Sequence, residues 1–276
     1  MNDILFALSL TLIAGFATGI GSLVVLFSKK TNTKFLSICL SFAAGVMLYV
    51  AFAEILLEAF EDLKDFHGDG MGYLIATVAF FAGIIIMAAI DKFIPHGDEV
   101  IEIDETATCE VKLKKYEENH NKDLKRTGIM SAVAIAVHNL PEGIITFIAA
   151  VHDPAMGIAI AIAIIIHNIP EALAMAAPIY YSTGSKAKAF LISLGAGLVQ
   201  PLGALIAWFF MQNIFDDIEP IFGVIFAVVA GIMVFVAIHQ LLPAAHKFGK
   251  HHLVMKWLFA GMAVMALSIV VLEFVL

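Results

Sequence analysis

Eight stretches of mostly apolar residues, each about as long as the roughly 20 helical residues that cross a bilayer, divide this chain. They fall near 4–27, 35–59, 72–94, 128–151, 155–180, 186–210, 220–244 and 252–275. In hydrocarbon every backbone N–H and C=O must find its partner inside the segment, so each stretch is predicted to be a transmembrane α-helix. Composition agrees: 61% of the 276 residues are hydrophobic and 14% are charged, where a soluble domain carries roughly 25% charge. The short gaps between stretches make residues 1–276 one all-α integral membrane domain with lipid as its main solvent. The first stretch has no basic flank before it and no small-residue cleavage site after it, so it reads as a retained span.

Lysine and arginine set the expected orientation. Fifteen of the 16 basic residues fall at odd-numbered connections, including Lys29, Lys30 and Lys34 after span 1 and Lys112 to Arg126 after span 3. Lys64 alone falls on the other side. The positive-inside rule then places the odd-numbered loops in the cytoplasm and both termini outside a plasma (inner) membrane. The one long loop, about 95–127, mixes acids and bases with His96, Cys109 and His120, and reads as a solvated linker more readily than as a dense metal-binding tract. Cys39 and Cys109 are too few and too differently placed for a disulfide framework. The scattered basic residues exclude nucleic acid as a partner.

Charged and polar groups at membrane depth are expensive and point to function. Span 4 contains His138-Asn139-Leu140-Pro141-Glu142, and span 5 contains His167-Asn168-Ile169-Pro170-Glu171. On a helix, positions i and i+4 lie about 40° apart and i and i+3 about 60° apart, so His, Asn and Glu of each motif share one face. Each proline removes one backbone hydrogen bond and frees a carbonyl, of Val137 and of Ile166. Both motifs sit mid-span on antiparallel neighbours turned at His152-Asp153-Pro154, so they are expected to meet near the bilayer midplane, where transporters commonly bind their substrates. Two imidazoles, two carboxylates and two amides suit zinc, iron, manganese, cobalt or nickel better than Cu(I). The competing reading, a kinked polar network holding helices together, leaves two mid-bilayer carboxylates without a counter-charge.

Other polar positions trace a path. Glu54 and Glu58 in the outer half of span 2 form an expected entrance; Glu58 also reads as a snorkelling interfacial acid. Met47 near the middle of span 2 offers a thioether, although a lone methionine is usually packing. Gln200, before Pro201 in mid-span 6, joins the candidate centre, and His239, Gln240 and His246 lie toward the inner end of span 7 as an exit or regulatory group. Gly15 with Gly19, and Gly195 with Gly197, allow close helix approach.

Eight spans, external termini, a long loop after span 3 and paired His-Asn-x-Pro-Glu motifs together resemble the ZIP (Zrt/Irt-like) family of divalent metal transporters, in particular its ZupT-like bacterial branch. The resemblance covers nearly the whole chain. It implies uptake of a divalent metal, usually zinc, with iron, manganese, cobalt and cadmium carried by relatives. It also implies a three-two-three arrangement in which spans 1–3 and 6–8 are pseudo-symmetric about spans 4 and 5, and a homodimer. By this resemblance His138, Glu142, His167, Glu171 and Met47 form a first metal position. Asn139, Asn168 and the two bridging glutamates form a second. Glu54 matches an entrance and His239 an exit-side position.

The chain departs from the family pattern at Gln200 and Gln240, where relatives often carry glutamate, and at Ala172, where glycine is usual. With neutral histidines, Glu142 and Glu171 balance one divalent ion, and a second ion would leave charge uncompensated in a low dielectric. One tightly held ion at the midplane is therefore expected. An intramembrane zinc hydrolase is the alternative, but no HExxH motif is present, and the polar trail favours a path over a fixed catalytic centre. The expected mechanism is alternating access, without an enzyme activity and without a P-loop for ATP.

Overall fold

The computed structural model describes residues 2–26, 32–93, 109–211 and 219–275. These residues are almost entirely helical, with no strand among them. Eight helices among them are long and apolar enough to cross a membrane: Asp3–Val25, Thr33–His67, Asp69–Lys92, Asn121–His152, Pro154–Thr183, Lys186–Phe209, Gly223–Phe248 and His251–Val271, referred to below as spans 1 to 8. Large apolar side chains such as Phe81, Ile85, Leu191, Phe209 and Leu267 point outward on this bundle, as they do where lipid replaces water.

The helix of span 4 begins earlier than the hydropathy suggests. The expected 95–127 loop is helical from Cys109 onward, within a helix Cys109–His152, while residues 94–108, with His96, lie outside the described residues. Residues 109–127 are rich in Glu, Lys and Leu and contain no proline and no glycine. Such residues are good helix formers, and an existing helix extends more readily than a new one nucleates. Spans 2 and 7 each contain a π-helical turn, Ala51–Ile55 and Val236–Leu241. Span 6 is interrupted at Leu198 between Lys186–Gly197 and Val199–Met211. By contrast the helices of spans 4 and 5 run on through Pro141, Pro170 and Pro178.

The helices pack in pairs that exchange under a two-fold relation. Span 1 packs on span 5 as span 6 packs on span 4, and span 2 on span 8 as span 7 on span 3. The same relation appears in the sequence once the packing is known. Gly45-Val46-Met47-Leu48-Tyr49-Val50-Ala51 corresponds to Gly231-Ile232-Met233-Val234-Phe235-Val236-Ala237, and Phe81-Ala82-Gly83 with Met87-Ala88 to Phe259-Ala260-Gly261 with Met265-Ala266. Corresponding glycines make the close approaches. A Cβ on Gly45 would strike the Leu258 backbone and one on Gly261 that of Phe42; likewise Gly83 meets Val228 and Gly231 meets Phe80. This is the three-two-three arrangement, with spans 4 and 5 as its middle pair.

Candidate metal centre

Spans 4 and 5 are turned by a short, well-capped corner. The Asp153 carboxylate accepts from the backbone N–H of Ala155 at 2.8 Å, and Pro154 occupies the first helical turn, where its missing N–H costs nothing. Gly157 lets the two helices close tightly there, since a Cβ at that position would collide with Ala150. From this corner both motifs run to the same depth, and their side chains converge. His167 Nε2 donates to Glu142 Oε1 at 2.7 Å, and His138 Nε2 lies 2.7 Å from the same oxygen. The two imidazole centroids are 6.0 Å apart. One ligand atom from each of His138, Glu142 and His167 lies within 4.8 Å of the other two, a spacing that fits a single metal ion. Glu171 follows His167 by one helical turn and is fully buried, with no hydrogen-bond partner for either carboxylate oxygen.

The asparagines explain themselves through their NH2 groups. Asn139 Nδ2 donates to the Ala196 carbonyl of span 6 at 2.9 Å, and Asn168 Nδ2 to the Ala14 carbonyl of span 1 at 3.2 Å. Ala196 and Ala14 precede Gly197 and Gly15, which pack against each other, so the two bonds obey the same two-fold relation as the helices. With their donors anchored on backbone, Asn139 Oδ1 and Asn168 Oδ1 are left buried without partners. Gln200 is fully buried; its Oε1 accepts from Asn168 Nδ2 at 3.3 Å and its Nε2 has no partner. Each buried polar atom left this way costs about 1–3 kcal/mol. A cation with its remaining waters would satisfy the oxygens and ring nitrogens together.

A cavity of about 140 Å³ leads to this centre from one end of the bundle. Glu54 and Glu58 lie along its wall, His138 and Glu142 line it, and the rest is apolar, including Val50, Ile164 and Phe226. Glu54 stands in the π turn of span 2, with Oε2 buried and unpartnered. Such turns often re-aim side chains at functional sites. Met47 is fully buried in the core cluster and is not among the residues lining this cavity.

The opposite, lysine-rich end is bridged by long-range contacts. Gln240 Nε2 donates to Asp91 Oδ1 at 2.6 Å, the Arg126 guanidinium pairs with the Asp91 carboxylate, and it also donates to the Asp91 carbonyl at 3.2 Å. Lys247 Nζ lies 3.0 Å from Asp123 Oδ2, Ser37 Oγ donates to the Ala245 carbonyl at 2.9 Å, and the Tyr181 hydroxyl donates to the Asn32 carbonyl at 2.7 Å. A cavity of about 280 Å³ at this end is lined by His239, Gln240, Arg126 and Lys247 among others. It shares no lining residue with the first. His239 stacks on Phe235, with ring centroids 4.7 Å apart. His246 is not in this cavity but pairs with His251.

Three residues escaped the sequence reading. Asp91 and Arg126 form a mostly buried ion pair; Asp91 was visible as an acid near the end of an apolar stretch, but its partner was not. Thr18 is fully buried with an unpartnered hydroxyl. It stands four residues after Ala14 as Gln200 stands four after Ala196, so the internal repeat was the signal that could have found it.

Comparison with known proteins identifies the family. A family model described as ZIP Zinc transporter matches residues 4–269. The chain is 48% identical over 268 residues to a protein named Zinc transporter ZupT from Chlorobium chlorochromatii (strain CaD3), covering 97% of this chain and 98% of that relative. It is 47% identical over 277 residues to the protein of the same name from Clostridium perfringens (strain 13 / Type A), with 98% and 96% covered. A third such protein, from Streptococcus mutans serotype c, is 45% identical over 272 residues, with 98% of both chains covered. Each of these is a transporter by name, and none lends support to a hydrolase. With the family's model matched along nearly its whole length, this chain belongs to the ZIP zinc transporter family.

Proposed function

We propose that the chain carries divalent metal ions, zinc first among them, into the cytosol through the centre between spans 4 and 5. The observation that carries this reading is the convergence of His138 Nε2 and His167 Nε2 on one Glu142 oxygen, each at 2.7 Å, beside a cavity whose wall also carries Glu54 and Glu58. His138, Glu142, His167 and Glu171 form the first position in this reading. Asn139 Oδ1 and Asn168 Oδ1, with Gln200, supply neutral oxygens to a weaker second position. Met47, two helical turns before Glu54, is the thioether that span 2 offers. Imidazole with carboxylate also suits iron, manganese and cobalt, and cadmium is a further candidate, so selectivity rests on the fine geometry of this set.

The basic residues favour a cytosolic position for the end that carries Asp91, Arg126 and Lys247, and an external position for both termini. In that orientation the Glu54 cavity faces the outside, and the Asp91–Arg126–Gln240 contacts lie on the cytosolic side of the centre. An ion enters past Glu58 and Glu54, exchanges water for the imidazoles and carboxylates, and leaves through the His239–Gln240 cavity once the Asp91–Arg126–Gln240 contacts part. The plasma membrane and a homodimer complete the reading. Reconstituted vesicles test it: zinc, iron, manganese, cobalt and cadmium uptake is compared between the unmodified protein and Glu142→Ala or Glu171→Ala. Each substitution is expected to reduce zinc uptake at least about tenfold, since it removes an anionic ligand from a buried site where a divalent ion's attraction to one carboxylate is worth several kcal/mol. Unchanged uptake in both variants would remove this centre from the transport path.

A further inference from the structure

At the lysine-rich end, the short helix Leu242–Phe248 meets the start of the helix His251–Val275 across Gly249 and Lys250. His246 closes the first helix, and His251 and His252 open the second; all three are exposed. His246 Nδ1 lies 2.9 Å from the Leu242 carbonyl oxygen. A carbonyl only accepts, so the ring proton sits on Nδ1 and Nε2 keeps its lone pair. This is the backbone hydrogen bond that commonly orients a metal-binding histidine. His246 Nε2 and His251 Nδ1 lie 3.2 Å apart in a hydrogen bond, whose shared proton a metal ion bound by both nitrogens would replace. Tetrahedral zinc, with Zn–N bonds of about 2.0–2.1 Å, holds its ligand nitrogens about 3.3–3.4 Å apart. The two nitrogens therefore stand within a few tenths of an ångström of a tetrahedral edge.

We infer that His246 and His251 form a second, peripheral site for a divalent, imidazole-binding cation at the mouth opposite the Glu54 cavity. Solvent supplies the remaining ligands. The ring of His252, with its centroid 5.9 Å from that of His251, stands in reserve as a third. The site is exposed, has two protein nitrogens and lies beside Lys247 and Lys250, so it holds the ion weakly and exchanges it quickly. Those are the properties of an acceptor for ions leaving the transport path. The inference rests on the proposed divalent cargo but not on the identity of the central ligands.

Cobalt(II) binding to the full-length protein tests it, read by visible absorption and by equilibrium dialysis. Protein carrying Glu142→Ala and Glu171→Ala is expected to retain a weak Co2+ site. Adding His246→Gln and His251→Gln is expected to weaken that site by about tenfold or more, the scale on which metal sites respond to lost supporting interactions. Zinc is likewise expected to protect His246 and His251 of the unmodified protein from diethyl pyrocarbonate, a readout that needs no substitution. Co2+ binding unchanged by the histidine substitutions in both backgrounds, or no zinc protection, overturns the peripheral site and leaves the central one standing. Equal Co2+ stoichiometry with and without Glu142 and Glu171 counts instead against the central reading, while the histidine arm still decides this one.

Discussion

Gln200→Glu isolates the role of charge in the centre. Gln200 Oε1 already accepts from Asn168 Nδ2, and its Nε2 has no partner, so the substitution keeps the one hydrogen bond and sacrifices none. What changes is the number of carboxylates, from two to three. With two divalent ions aboard, the unmodified centre carries two uncompensated positive charges, and the variant carries one. A carboxylate about 6 Å from a divalent ion at an effective dielectric of about 20 attracts it by about 5 kcal/mol. Burying the new carboxylate takes back several kcal/mol of this. The balance expected is about 1.5–3 kcal/mol in favour of the second ion, a tightening of roughly 10- to 150-fold. Zinc titration by calorimetry with dialysis to count bound ions, on protein that retains His246 and His251 and again on protein lacking them, reads this directly. One central ion is expected before the substitution and two after it, within the same metal range. A central stoichiometry and affinity untouched by Gln200→Glu would show that residue 200 does not face the ions, and would refute the charge argument for a single tight site.

Two further outcomes follow from the packing. Arg126→Met leaves the Asp91 carboxylate buried without its main counter-charge, at a cost of about 3–5 kcal/mol; combining it with Asp91→Asn should recover much of the thermal stability in detergent, and additive losses would argue against a direct pair. Gly143→Ala drives a methyl into the Gln200 backbone and forces spans 4 and 6 apart, for about 1–3 kcal/mol and reduced uptake, whereas Ala172→Gly introduces no clash and should cost about 1 kcal/mol through helix propensity, with uptake retained; loss of uptake in Ala172→Gly as large as in Gly143→Ala would contradict this packing.

The spans and the paired motifs were legible in the sequence because each rests on a local pattern. Apolar length marks a span, and His, Asn and Glu at helical spacing mark a face. The convergence of the two motifs could be foreseen because spans 4 and 5 are joined by a tight turn, which fixes their relative depth. What could not be foreseen depends on contacts distant in sequence. Gln240 reaches Asp91 across 149 residues, and no local pattern announces such a partner. The helix at 109–127 was hidden for another reason: polar residues surround it, so it has no apolar period to read. The π turns around Glu54 and Gln240 were hidden too, because an inserted residue in a helix has no compositional mark. Ala172 stood out as a departure from the family pattern, and the structure accounts for it by the glycine facing it on span 1.

The two-fold relation between spans 1–3 and 6–8 has one further consequence. The halves cross the membrane in opposite senses, so one structure holds templates for two facings. Giving each half the conformation of the other would close the Glu54 side and open the Gln240 side without any new packing motif. The halves are not chemically equal, however. Where one presents Glu54 and Glu58, the other presents Gln240 and Ala244. At these two corresponding positions one approach presents anionic oxygen and the other an amide and a methyl, and the acids near the second, Asp91 and Asp123, are each paired with a basic side chain. Such a gradient of stickiness cannot set the direction of net flow, which the ion's own gradient decides. In the proposed orientation it determines instead at how low an outside concentration the centre still fills, and how readily it empties toward the Gln240 side.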